Sequence, residues 1–333
     1  MNLYFPPFIY SFFLFTGTII TVSSSSLFGA WIGLEINLIS FIPIMINSEN
    51  NKKSTESAIK YFLIQAIASG IVIFSALYFY FFNSRTLSQV PNILITLALR
   101  IKLGIAPFHF WFPEVLEGLN WINSLILLTW QKISPLVILS LFFYSKILIT
   151  LALTSALLGA ISGINQTSIR KILAFSSISH LGWIGGIIYF NSSLWLDYFI
   201  VYRFTRFILC FSFWMLDLNY FSQLTILKNL NAKFIIFINL LSLGGLPPLL
   251  GFLPKWMAMI VIKTSFPILI ILILSRLITL YFYTRLCFRT FTLYIQSITW
   301  FKKENSSIKN FFLLRILTFF SIIGIMPIRL LYL

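Results

Sequence analysis

The sequence is poor in acid. Only 8 Asp and Glu stand against 24 Lys and Arg, and charged residues together make up 10% of 333 positions. A soluble domain of this length covers itself with far more charge, so a water-facing globule is excluded. Cysteine is nearly absent. Cys210 and Cys287 lie far apart in apolar runs and form no C-x-x-C pair, which argues against a disulfide and a metal site. Histidine is limited to 2, and no carboxylate cluster suited to a metal cation is visible. Residues 4–22 run into a second apolar stretch with neither a basic start nor a convincing cleavage site, so no cleavable signal peptide is expected.

What the chain has is apolar sequence. Hydrophobic residues make up 59% and mean hydropathy is +0.94, a composition that calls for many membrane spans. The net charge of +16 does not point to nucleic acid, because many of the basic residues sit in short loops between apolar runs. At roughly 20 apolar residues per crossing, about eleven spans are expected. They fall near 4–22, 27–46, 58–82, 91–118, 121–145, 147–164, 172–190, 194–217, 234–262, 266–288 and 311–331. Loops after even-numbered spans carry Lys52, Lys53, Arg170, Lys171, Lys228, Lys233, Lys302, Lys303 and Lys309; loops after odd-numbered spans carry only Arg85, Lys146 and Lys263. Positive loops face the inner compartment, which puts the N-terminus inside and the C-terminus outside. The loop after span four, with Glu114 and Glu117, is the acidic exception.

Two spans contain their own breaks. Residues 243–256 read L-G-G-L-P-P-L-L-G-F-L-P-K-W, and residues 102–114 read K-L-G-I-A-P-F-H-F-W-F-P-E. Proline removes a backbone donor and clashes with the preceding turn, so neither stretch continues as one helix. At membrane depth, broken backbone survives only where protein or a polar cavity surrounds it. Leu103, Gly104 and Pro107 share an L-G-x-x-P pattern with Leu243, Gly244 and Pro247, five spans apart. Five is odd, so the second copy runs through the membrane inverted. The expected architecture is therefore all-α and polytopic, with inverted five-helix repeats over 1–146 and 147–288. A connecting segment and final span, 289–333, follow them.

Ionisable residues mark the spans as more than anchors. Glu35 lies mid-span in W-I-G-L-E-I-N-L, Lys102 precedes the first break, Lys132 lies in T-W-Q-K-I-S-P, and Lys255 follows the second break. A charge in hydrocarbon costs a few kcal/mol or more, so each needs a partner or water. Spread over both halves, the four suggest a hydrated polar file. Burial lowers a lysine's proton affinity and a nearby carboxylate raises it, so a lysine whose partner moves is a switchable proton carrier. The competing reading for Lys255 is a side chain snorkelling from a kinked helix. His109 and His180 are candidates for the same file or simple packing histidines.

The stretches at 29–43, 102–114, 129–135, 165–171, 175–183 and 241–256, covering most of the chain, resemble the subunit 2 family of mitochondrial NADH:ubiquinone oxidoreductase (respiratory complex I), in its arthropod form. The resemblance implies an antiporter-like, eleven-span subunit, shortened at its N-terminus relative to bacterial relatives. Its central axis would contain Glu35, Lys102, Lys132 and Lys255. It implies no cofactor or metal in this chain; NADH, FMN, iron–sulfur clusters and ubiquinone belong to other subunits. The expected partners are other membrane-arm subunits and lipids such as cardiolipin, with no nucleic acid. The expected location is the mitochondrial inner membrane, N-terminus on the matrix side and C-terminus towards the intermembrane space. A stand-alone cation/proton antiporter is the rival function and a non-conducting filler the weaker one. The resemblance calls for no arginine at 100, 203, 206 or 276, all inside spans. Arthropod mitochondria read AGA as Ser, so some of these four positions are expected to be Ser.

Overall fold

The computed structural model describes residues 7–47, 52–81, 89–141, 145–190, 193–227, 230–263 and 265–292, with isolated positions between 315 and 322. The expected last span and most of its basic connection lie outside the described residues. Among the described residues the fold is helical, and the only pairing of extended backbone is an isolated bridge between Ser168 and Tyr220. Two compact units divide the chain, residues 1–155 and 156–333.

In the first unit, α1 (Pro7–Ser23), α2 (Leu27–Asn47) and α3 (Lys52–Phe81) are followed by α4 (Gln89–Leu103) and α5 (Trp111–Gly118). Then come α6 (Trp121–Thr129), α7 (Ile133–Leu141) and the first part of α8 (Ser145–Ser162). Helix α1 crosses α2 at two glycines: a Cβ on Gly17 would sit 3.0 Å from the Gly33 carbonyl, and one on Gly33 2.8 Å from that of Gly17. Such close approach of backbones is what small residues supply at membrane helix crossings. In the second unit, α9 (Ile169–Phe190), α10 (Trp195–Met215) and a short α11 (Phe221–Ile226) precede α12 (Leu230–Gly244), α13 (Phe252–Ile262) and α14 (Phe266–Thr292). Helix α9 is the enclosed centre of this unit, 89% buried over its most apolar window against 28% for α14.

Among the described residues, five helical stretches are long and apolar enough to cross a membrane: Leu27–Ile46, Lys52–Phe81, Trp121–Leu141, Ile169–Phe190 and Phe266–Phe288. Shorter apolar helices match three further expected spans, α12 and α13 together forming one of them. Three details depart from the sequence reading. Span three starts at Lys52, six residues early, because Lys52 and Lys53 extend the helix with exposed charge. Lys233 is enclosed inside α12 and donates to the Thr225 carbonyl at 3.1 Å, where a polar loop was expected. Span five is interrupted at residues 130–132: Pro135 cannot donate to the Gln131 carbonyl, and the amides of Trp130 and Gln131 both turn to the Ile126 carbonyl, at 2.8 and 3.1 Å.

Both expected breaks are present and both begin with the same cap. At the end of α4 the amides of Gly104 and Ile105 reach back to the carbonyls of Ile101 (3.2 Å) and Arg100 (3.1 Å). At the end of α12 the amides of Gly245 and Leu246 reach those of Ser242 (3.0 Å) and Leu241 (3.3 Å). This paired arrangement is a Schellman motif, which needs a left-handed residue after the last turn. Gly104 (φ 68°) and Gly245 (φ 83°) supply it. The register of the two segments is therefore one residue away from the L-G-x-x-P match: Gly104 corresponds to Gly245, not Gly244. In that register α4 and α12 are each 15 residues long, and Pro113 falls opposite Pro254.

A Cβ at Gly104 meets both the left-handed backbone and the Phe112 ring at 3.2 Å. Gly104→Ala is expected to destabilise the protein by about 1–2 kcal/mol. Gly70→Ala, mid-helix in α3 with nothing within 4 Å of its Cβ, should be neutral or stabilising by up to ~1 kcal/mol. Thermal unfolding of the detergent-extracted protein compares the two; a Gly104 variant as stable as the Gly70 variant would contradict the cap.

Candidate functional site

In the first unit, the sharp turns bring two of the singled-out lysines to one place. Lys102 sits in the last turn of α4, and Lys132 sits at the interruption between α6 and α7. Both line a cavity of about 20 Å³, room for one or two waters. They are 8% and 2% exposed, so neither snorkels to a surface of this chain. The remaining polar lining comes from Asn37 on α2, Gln65 on α3, and Gln131 and Ser134 beside Lys132. Ser134 accepts from Thr21 (2.9 Å) and from Asn37 Nδ2 (3.1 Å). Gln65 Nε2 donates to the Lys102 carbonyl at 3.2 Å, capping the broken end of α4. Two buried atoms in this lining, Asn37 Oδ1 and Gln131 Nε2, have no hydrogen-bond partner among the described residues. An acceptor and a donor left open on a small polar cavity are what an ordered water satisfies. The Lys132 ammonium lies 4.9 Å from the centre of the Phe112 ring, a cation–π distance.

Glu35 is half-buried on α2, close enough to act electrostatically on Lys102 without a direct ion pair. It is outside the cavity lining. His109 lies in the break between α4 and α5, with Nδ1 3.2 Å from the Pro107 carbonyl and its ring stacked on Phe110. It too is outside that lining.

In the second unit, Lys255 is 2% exposed and lies in the first turns of α13. Its Nζ folds back on the broken end of α12, donating to the carbonyls of Leu243 at 2.7 Å and Gly244 at 3.0 Å. The next carbonyl, that of Gly245, accepts from Arg276. A cation is favoured at this end of a helix, where the dipole is negative and the last carbonyls lack helical donors. The charged groups acting electrostatically on Lys255 are Arg276 and Arg206. His180 belongs to a polar seam between α9 and α10. On α9, Ser176 and His180 are four apart; on α10, Tyr198, Tyr202 and Arg206 repeat the spacing and meet them. His180 Nδ1 is 2.8 Å from the Tyr198 hydroxyl, and Arg206 Nη2 donates to the Ser176 hydroxyl at 2.8 Å.

The other span arginines differ. Arg206 is fully enclosed, also donates to the Leu173 carbonyl (3.2 Å) and lies over Tyr202. Arg203, half-buried, lies over Phe199. Arg100 is 2% exposed, with Nη2 unpartnered.

Sequence reasoning passed over Asn37, Gln65, Gln131 and Ser134, and the Tyr198–Tyr202–Arg206 row. The four-residue spacing on α10 was the available signal for the second group. For the first there was none, because isolated amides and hydroxyls occur throughout the spans.

Removing the Lys255 ammonium leaves two buried carbonyls without a donor. Lys255→Met is expected to cost about 1–3 kcal/mol, seen as a lowered thermal midpoint of the extracted protein in the absence of turnover. Glu114 occupies the matching position in the first unit but is 56% exposed and paired with Lys60; Glu114→Gln should stay within ~0.5 kcal/mol. Equal midpoints would remove the capping role.

Comparison with known proteins fits this geometry. Residues 24–281 match the family described as NADH:quinone oxidoreductase/Mrp antiporter, TM. The protein called NADH-ubiquinone oxidoreductase chain 2 in Anopheles gambiae is 46% identical over 97% of both chains. Its namesake in Aedes aegypti is 44% identical over 98% of this chain and 97% of that one. Among solved structures, a chain of respiratory complex I from Thermus thermophilus with bound aureothin superposes with a TM-score of 0.82 at 20% identity, covering 96% of this chain and 78% of that one. A chain of the Mrp complex from Dietzia superposes with a TM-score of 0.75 at 17% identity, covering 82% and 58%. At such identities these two share the fold. The chain thus belongs to the NADH:quinone oxidoreductase/Mrp antiporter transmembrane family, among the NADH-ubiquinone oxidoreductase chain 2 proteins.

Proposed function

We propose that the chain is a proton-translocating membrane-arm subunit of respiratory complex I. In this reading it couples NADH:ubiquinone electron transfer to proton movement through Glu35, Lys102, Lys132 and Lys255. The observation that carries this is the shared cavity of Lys102 and Lys132, with the open hydrogen-bonding atoms of Asn37 and Gln131 on its wall. A water held by those atoms lies between two protonatable amines. A proton leaving one ammonium passes to that water and on to the other amine. Glu35 lies on α2 near Lys102, without a direct ion pair to it among the described residues. The interrupted helix at residues 130–132 lets Lys132 turn without breaking a continuous hydrogen-bond ladder. His109 and His180 are secondary members, His180 through its contact with Tyr198.

The two broken segments are read as one element repeated in inverted halves, 1–146 and 147–288. Their equal helix lengths, matching Schellman caps and matching prolines support this, as does the odd number of expected spans separating them. Loop charge supports a matrix-side N-terminus in the mitochondrial inner membrane and a C-terminus towards the intermembrane space. The redox chemistry belongs to other subunits, which bind NADH, FMN, iron–sulfur clusters and ubiquinone; this chain supplies the proton path and is not a stand-alone monomer.

Lys132→Met keeps the apolar length of the side chain and removes its proton. In coupled vesicles of the assembled enzyme, proton pumping and coupled quinone reduction should fall together, with the variant still assembled on a blue-native gel. An unchanged proton-to-electron ratio at full turnover would take Lys132 out of the path. A 38.5 kDa band migrating apart from any large complex would favour the lone antiporter.

A further inference from the structure

The second unit holds a larger cavity, of about 280 Å³, remote in character from the lysine cavity. Its wall is built from the turn after α8 (Gly163 to Thr167), Phe221 at the start of α11, and Phe282, Arg285 and Leu286 near the end of α14. The turn and the start of α11 are fastened together. Phe221 N donates to the Thr167 carbonyl and Ile169 N to that of Asn219, both at 3.1 Å, and Arg170 Nη2 donates to Asn219 Oδ1 at 2.6 Å. Gly163 leaves room for Phe282: a Cβ there would meet the ring at 3.1 Å. The cavity is therefore a standing feature of packed elements.

Its chemistry is one-sided. Arg285 is exposed, and its one hydrogen bond among the described residues, to the Ile164 carbonyl, is long at 3.4 Å. A guanidinium has five N–H donors, so most of its capacity is open to a ligand. Asn165, Gln166 and Thr167 add neutral polar groups, Phe221, Phe282, Ile172 and Leu286 add apolar wall, and among the described residues no acidic side chain lines the space. The three wall segments end the sixth, eighth and tenth expected spans, whose following loops carry Arg170, Lys171, Lys228, Lys302, Lys303 and Lys309. By loop charge that is the inner, basic face. Basic pockets between helices on that face are suited to anionic lipid headgroups.

We propose that this cavity binds the phosphate and glycerol backbone of an anionic phospholipid, with Arg285 holding the phosphate and Phe221 and Phe282 flanking the first methylenes. The volume suits a headgroup and not whole acyl chains, which would leave the cavity along the exposed apolar surface of α14. The proposal is independent of the proton path, since none of its residues belongs to that path.

The test uses the intact complex in its native membrane, exposed to a diazirine-bearing phosphatidylglycerol, irradiated, and mapped by peptide mass spectrometry. Labelling at 163–172 or 282–286 that is displaced by phosphatidylglycerol, but by neither phosphatidylcholine nor excess inorganic phosphate, supports the site. An Arg285→Gln complex should lose most of that labelling and Arg285→Lys should retain it; if neither variant assembles, the competition series decides alone. Displacement by inorganic phosphate would make this a free-anion site and overturn the lipid assignment. Absence of labelling at these segments, labelling indifferent to headgroup charge, or a neighbouring subunit's acidic side chain crosslinked in the cavity would each overturn it as well.

Discussion

A helix that stops inside a membrane leaves carbonyls that water cannot reach, and the structure is arranged around meeting that demand. The last four carbonyls of α4 and of α12 lack helical donors. The Schellman turns at Gly104 and Gly245 satisfy two of them in each case, with the amides of the next two residues. What remains is met differently in the two units. In the first, Gln65 reaches across from α3 to the Lys102 carbonyl. In the second, Lys255 supplies a charged donor to Leu243 and Gly244, and Arg276 serves Gly245. An unsatisfied carbonyl in hydrocarbon costs several kcal/mol, so these donors are conditions for the breaks to exist at all.

Those conditions create the site. Once the end of α4 is capped from outside by Gln65, the Lys102 side chain points into space that a continuous helix would have filled. The second interruption, at residues 130–132, opens the same space from the α6–α7 side. Each gap in the backbone ladder therefore brings polar side chains with it, among them Asn37 and Gln131 with their open atoms. Stability and the proposed path share one origin: the broken backbone demands polar groups, and those groups line the cavity of Lys102 and Lys132.

Much of this was legible in the sequence, for physical reasons. Glycine and proline crowd into both breaks, and nothing else does that within an apolar run. Lysine in a span is equally conspicuous, because its cost demands an explanation. The two caps align one residue away from the L-G-x-x-P match because Gly244 and Gly245 are adjacent, and letters alone do not say which takes the left-handed backbone. The interruption at Lys132 went unread because Pro135 acts four residues upstream, at the carbonyl it fails to serve. Lys233 read as loop because its partner, the Thr225 carbonyl, comes from a short helix with no periodic signal. The neutral companions Asn37, Gln65, Gln131 and Ser134 were invisible because their significance is a matter of who faces whom.

Corrected by that one residue, the register exposes an asymmetry. Position 114 in the first unit corresponds to position 255 in the second. In the first it is a glutamate, exposed and paired with Lys60, which also holds Glu56 at 2.9 Å. In the second it is an enclosed ammonium. The first unit instead takes its lysine from the last turn of the helix before the break, and the second from the helix after it, folded back. Either route ends with a cation at the C-terminal end of a broken helix, where the helix dipole is negative. A neutral amide suffices to cap that end, as Gln65 does for α4. At α4 the lysine is thus not needed as a donor, whereas at α12 Lys255 is itself the donor. On the proposed function, what both add at that position is a proton that can leave.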